Sequence, residues 1–126
     1  LLLLAAIVVS QNTEAVETKI ARLERGEACK CFGSGMAAIS AAMLGTLRAG
    51  DHLLFVNQIY GPTRQLANHI TRFGIEASIT TQLTVEEILE SVRPNTRMLW
   101  IESPGTMTFQ CLDLAALCEQ ARAERS

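Results

Sequence analysis

Gly33-Ser34-Gly35-Met36 has the residue types of an anion cradle. Glycine removes the Cβ that would keep a ligand away from the main chain. A helix opening at Ser34 or Gly35 would aim unpaired N–H groups and its positive dipole end at a phosphate, with no cationic side chain needed. A helix packed tightly on a strand, with Ser34 as an ordinary N-cap, satisfies the same residues. Tyr60 is the only tyrosine. Its ring can stack on a planar ligand and its hydroxyl can move a proton; a half-buried rim tyrosine is the other reading. Glu102 can orient a ligand, bind a backbone amide, or serve as a cap or turn carboxylate. His52 and His69 read as a strand-start residue and a helix-surface residue rather than catalysts, and Arg64 either borders a ligand edge or decorates a helix. The cysteines at 29, 31, 111 and 118 do not have zinc-ribbon spacing, and the chain is not a small loop-rich secreted one. They read as reduced thiols in a reducing compartment, the cytoplasm. No nucleophile–base pair and no carboxylate pair stands out, so any chemistry would be carried by a phosphate-bearing cofactor.

The elements that must position these groups alternate. Thr13–Arg25 reads as a helix capped by Asn12 or Thr13, with Glu14 and Glu17 in its first turn, Arg22 and Arg25 in its last, and Gly26 as the C′ residue. Val16, Ile20 and Leu23 form its apolar face. Glu27–Phe32 is a short strand leading into the glycine turn, and the helix after it runs to about Arg48 with Met36, Ile39, Met43, Leu44 and Leu47 at helical spacing. His52–Asn57 is a continuous apolar run, as in a strand covered on both faces. Pro62 suits the first turn of the next helix, which runs to about Phe73 and stops at Gly74. Ile75–Thr80 is a strand, Thr84-x-x-Glu87 a capping box, and Val85, Ile88, Leu89 and Val92 a buried stripe. Arg97–Ile101 is a strand, and a last helix begins near Asp113 with Leu114, Leu117, Cys118 and Ala121 inward. Short loops between alternating strands and helices predict an α/β fold with a mainly parallel sheet. Ligands on such sheets bind beyond the carboxyl ends of the strands. Gly33–Met36, Asn57–Thr63 and Glu102–Met107 fall at those ends.

The chain has 126 residues, 48% hydrophobic and 19% charged, with net charge −2, which fits a domain able to bury a core. Nothing is basic enough for nucleic acid, and aromatics are too few for a base-stacking surface. The first nine residues, LLLLAAIVV, carry no charge. They are too short for a membrane span, lack the basic start of a signal peptide, and read as the tail of such a segment or a buried strand. The C-terminus, EQARAERS, stops inside a helical pattern, so both ends read as cut.

SGMAAISAA, then AGDHLL, IYGPTR, RFGIE, RPNTR and ESPGTMTFQCLDL, resemble in order and spacing the cysteine/methionine-metabolism enzymes that use pyridoxal phosphate. That group includes cystathionine β-lyase, cystathionine γ-synthase and methionine γ-lyase. The match runs from about Thr13 to Ala121, and ESPG-x-MTF is similar to the β-lyase branch rather than to the ESPSNP form of the synthases. The resemblance implies part of an aspartate-aminotransferase-like (type I) cofactor domain over 13–126, after an atypical apolar segment over 1–12. It implies that Ser34, Gly35 and Met36 hold the cofactor phosphate, that Tyr60 stacks on the pyridine ring and moves protons, and that Glu102 and Thr106 lie beside the ring. Many members carry asparagine where Thr106 stands; a single hydroxyl can still bond the ring hydroxyl.

The family's Schiff-base lysine and the aspartate paired with the pyridinium nitrogen would lie beyond Ser126, and Lys19 and Lys30 match neither. The tyrosine–arginine phosphate contact donated across a dimer interface should precede Thr13, where this chain is apolar. The expected parent is a C–S lyase acting on sulfur amino acids, in a homotetramer built of dimers, with no nucleic-acid or membrane partner. Alternatives are a cystathionine γ-synthase or O-acylhomoserine sulfhydrylase-type transferase, and a non-catalytic remnant. A nucleotide-binding domain outside the family ranks last, since neither G-x-x-x-x-G-K-[ST] nor G-x-G-x-x-G occurs.

Overall fold

A computed structural model describes the backbone of residues 4–6 and residues 13–105 and 107–123. Two units emerge, Leu1–Gly45 and Thr46–Ser126. In the first, β1 (Leu4–Ala6) lies parallel to β2 (Lys30–Phe32), with Ala5 opposite Cys31. The crossover between them is α1 (Thr13–Leu23), as a parallel pair requires. A strand in the apolar leader was one of the two expected readings; residues 7–12, including the Asn12 cap and the stretch where the tyrosine–arginine contact was looked for, lie outside the described residues.

Helix α1 ends differently from expectation. Arg25, not Gly26, takes the left-handed conformation, with φ 52°. Arg25 N donates to Arg22 O at 3.2 Å and Gly26 N to Ala21 O at 2.8 Å, the two bonds of a Schellman cap. The helix stops one position earlier than its charge pattern suggests, so the left-handed step falls on the arginine. The apolar face is also not buried: Leu23 is 81% exposed and Val16 is 45% exposed. Helix α2 (Gly35–Thr46) buries Ala38 and Met43, whereas Leu44 faces outward.

The second unit is a three-stranded parallel sheet in the order β4-β3-β5, with β3 at His52–Val56, β4 at Glu76–Thr80 and β5 at Thr96–Ile101. All five residues of β3 are buried, which is why that segment has no polar alternation. The single parallel sheet of the sequence reading is thus two parallel sheets among the described residues. Helix α3 (Gly61–Ile70) has Pro62 in its first turn and continues as a 3-10 turn, Thr71–Phe73, before Gly74 at φ 77°. Helix α4 (Val85–Glu90) starts at Thr84, whose Oγ1 accepts from Glu87 N at 3.4 Å and donates to the Glu87 carboxylate at 2.6 Å. This is half of the expected capping box; the return bond goes to the hydroxyl. Helix α5 (Leu114–Ala123) is capped by Asp113, whose Oδ1 accepts from Ala116 N at 3.0 Å. Its inward residue is Leu117, while Leu114, expected inward, is 43% exposed. Val56, Ile88 and Leu117 form a buried cluster with Val85, Leu89, Ile101 and Leu112 packed on it.

His52 starts β3 fully buried. Its Nδ1 pairs with Thr96 Oγ1 and its Nε2 with Ser78 Oγ, both at 2.7 Å, so the imidazole ties all three strands at the amino end of the sheet. Burial pushes its pKa below the ordinary value, and the Arg93 guanidinium adds to that, against the opposing pull of Glu76.

Candidate functional site

In the second unit the pairing of Val56 with Ile101 brings the residues after β3 and β5 out side by side at the carboxyl edge. Tyr60 closes the loop after β3 and is the cap residue of α3, with φ −55° and ψ 130° and no side-chain cap of its own. The cap comes from across the sheet. Tyr60 N lies 3.1 and 3.0 Å from the two oxygens of Glu102, so the carboxylate faces the positive end of α3. Trp100 Nε1 donates to the same carboxylate at 3.4 Å. Of the readings open for Glu102, the backbone-amide one is realised. Tyr60 is 48% exposed, so its backbone is fixed while its ring stays accessible.

Further groups shape this edge: Asn57, Ser103 and Gly105, which the sequence reading placed in its edge loops without a role, and Gln110, which it did not place there. Asn57 has φ 62°, a conformation asparagine tolerates better than most side chains. Its N–H donates to Thr80 O at 2.7 Å and its Nδ2 to Gln110 Oε1 at 2.9 Å. Gly105 N donates to Gln110 O at 2.8 Å, and Ser103 Oγ accepts from Leu112 N at 3.0 Å, folding the loop after β5 back on itself. A Cβ on Gly105 would meet Thr108 Oγ1 at 3.0 Å, so a larger residue here would push that side chain aside by a few tenths of an ångström. The position of Asn57 straight after an apolar strand was a usable signal; that of Gln110 was not. Thr63, in the first turn of α3, is fully buried with a hydroxyl that has no hydrogen-bond partner among the described residues. Arg64 is exposed on α3, and His69 sits on its surface with its ring edge-on to Phe73, 6.1 Å between centroids. Thr106 lies outside the described residues.

In the first unit the glycine turn brings Ser34, Gly35 and Met36 together at the start of α2. Ser34 Oγ accepts from Ala37 N at 3.1 Å and Ser34 O from Ala38 N at 3.2 Å. The serine is therefore the N-cap, and the two N–H groups it leaves over are those of Gly35 and Met36, which meet no acceptor among the described residues. A Cβ added at Gly33 or Gly35 would meet nothing within 4 Å. The mouth of α2 is open, in an exposed turn.

Residues 8–125 match the family model described as Cys/Met metabolism PLP-dependent enzyme. The chain belongs to this family. An L-methionine gamma-lyase of Fusobacterium nucleatum is 40% identical over 111 residues, covering 87% of this chain and 28% of that protein. Cystathionine beta-lyase MetC of Bacillus subtilis is 39% identical over 109 residues, covering 86% and 28%. The solved O-acetylhomoserine sulfhydrylase of Wolinella succinogenes superposes with TM-score 0.81 at 29% identity, over 90% of this chain and 33% of that one. The α/β architecture is accordingly part of an aspartate-aminotransferase-like domain. The chain spans about 28% of the length of the curated relatives it matches. Members of the Cys/Met metabolism family depend on pyridoxal phosphate. The mouth of α2 fits the phosphate of that cofactor: it offers unspent N–H donors, a positive dipole end and room beside Gly35.

Proposed function

We propose that this chain carries the cofactor cradle of a pyridoxal-phosphate-dependent carbon–sulfur lyase of the cystathionine β-lyase type, acting on sulfur amino acids. The observation that carries it is the open, donor-rich start of α2 in a chain of this family. Gly35 and Met36 would donate their N–H groups to the phosphate, and the Ser34 hydroxyl, already accepting from Ala37, would donate its own proton there. In the second unit, Tyr60 would lay its ring on the cofactor and its hydroxyl would take or give the substrate proton. Glu102 would act beside it by fixing the Tyr60 backbone, and Thr106 would bond the ring hydroxyl. When bound, the cofactor supplies the electron sink that lets an α-proton leave and a sulfur substituent follow.

Neither lysine of the chain fits the anchoring role: Lys19 lies on α1, and Lys30 is held by Glu17 at 2.8 Å. This chain alone is therefore proposed to bind the cofactor without turning over; the enzyme it belongs to would be a larger oligomer in a reducing, cytoplasmic compartment. The likeness to a sulfhydrylase supports one further reading, a transferase that replaces a leaving group with sulfur instead of releasing it.

Titration of the chain with pyridoxal phosphate, followed by Trp100 fluorescence and with inorganic phosphate as competitor, tests the cradle. Saturable binding reversed by phosphate is expected. A flat titration would leave a remnant with no cofactor. In the full-length enzyme, keto-acid release from cystathionine indicates the lyase, whereas product formation only with an O-acylhomoserine and a thiol indicates the transferase.

A further inference from the structure

Residues two apart along an extended chain face the same way; Cys31 lies in β2 and Cys29 immediately precedes its first residue. Cys29 is buried, Cys31 is partly accessible and Lys30 between them is exposed, so the two thiols share the face turned away from the lysine. Lys30 between them reaches instead to Glu17, whose second oxygen accepts from Cys31 N at 2.9 Å. This carboxylate holds the peptide that carries the pair. All four cysteines are free thiols, and among the described residues no cluster of three or more metal-ligating side chains exists. Alternate residues of a strand are about 6.6 Å apart. That is near the upper limit of the Cα separation a disulfide spans, about 6.8 Å. A single large atom bonded to both sulfurs closes the gap without moving the backbone, since each metal–sulfur bond adds about 2.3 Å.

We infer that Cys29 and Cys31 form a dithiol site that chelates one soft, thiophilic centre, of which trivalent organoarsenicals are the type. The step balances without a redox partner. An arsenoxide forms two As–S bonds, both thiol protons leave with its oxygen as water, and arsenic stays trivalent. Cys31, the accessible thiol, bonds first, and Cys29 closes the ring. Burial holds the Cys29 thiol above its ordinary pKa, so closure quickens as pH rises.

The test uses phenylarsine oxide on the full chain carrying Cys111→Ser and Cys118→Ser, which leaves only the pair. One equivalent is expected to block both thiols toward a disulfide reagent, to leave a single adduct by intact mass, to resist excess monothiol and to be released by a 1,2-dithiol. Cys31→Ser is expected to weaken retention about 100-fold or more, because the second bond is no longer intramolecular. If the folded double-serine variant keeps both thiols reactive, or loses them without an arsenic adduct by forming a disulfide, the chelate is overturned. Equal retention by Cys31→Ser overturns it as well. These outcomes are independent of cofactor binding at α2.

Discussion

Glu102 is half committed before any ligand arrives, because both its oxygens face the amide of Tyr60. Replacing it by alanine strips the negative charge from the start of α3 and orphans that amide. A loss of about 1 kcal/mol is expected by denaturant melting, with Glu102→Gln retaining part of it. Gly35 offers a cleaner probe of the anion site. Proline is tolerated in the first turn of a helix but takes away the N–H and puts a ring in the open room beside it, so Gly35→Pro should leave the circular dichroism unchanged and weaken pyridoxal phosphate binding at least about tenfold, the loss of one charge-assisted hydrogen bond. Unaltered affinity would remove the Gly35 amide from the cradle. His52 gives the pH dependence. Its folded pKa lies below 6.5, so just below pH 6.5 the unfolded chain binds a proton that the folded one does not. Stability therefore rises with pH through that window, is complete above about 6.5, and is lost as pH falls toward the folded value; urea melts in steps from pH 7 to pH 5 should show it, and His52→Gln should flatten it. Glu17 behaves oppositely in origin: its bonds from Lys30 and Cys31 N lower its pKa, so its contribution is present above 4.5 and fades below.

Most elements were legible because their ends carry local chemistry. Thr84, Asp113, Pro62 and Gly74 each mark a boundary through a hydrogen bond or a φ that few other residues satisfy, and the structure places a helix end at each. Thr84→Ala should cost about 1 kcal/mol and Gly74→Ala about 1–2 kcal/mol by thermal melting. The second is the larger because φ is 77° and a new Cβ would press on Ala49 Cβ at 3.3 Å. What escaped the sequence was tertiary. Nothing near Gln110 says that Asn57, 53 residues away, will bond to it. Periodicity marked Val16, Leu23 and Leu114 as apolar stripes but could not say whether a neighbour covers them, and here they are exposed. The charge pattern of α1 located its end to within a turn, yet the left-handed residue is fixed by the hydrogen bonds of the cap, which fall on Arg25 rather than on the neighbouring glycine. The glycine turn was legible as an open helix start, since the Ser34 cap and the room beside Gly35 follow from local geometry. The orientation of Glu102 toward a backbone amide was legible only as one option among several.

Among the described residues every strand pair is parallel. No pair can therefore close through a local turn, and each needs a crossover. Both neighbours of β3 lie later in the sequence: its partners in β4 begin at Glu76 and those in β5 at Thr96. A chain ended at Arg93 would leave one side of β3 bare and His52 Nδ1 without Thr96. Such a variant should lose hydrogen-exchange protection at Leu53–Val56 and bind a hydrophobic dye, whereas the complete chain should protect those amides best of all. The same topology has a consequence for synthesis. The strand whose five residues are all buried leaves the ribosome well before either edge that will shield it, so its exposure lasts as long as translation needs to reach Ile101. Slowing elongation over the codons for residues 57 to 101 should lengthen that unshielded interval and raise the nascent chain's demand for chaperones.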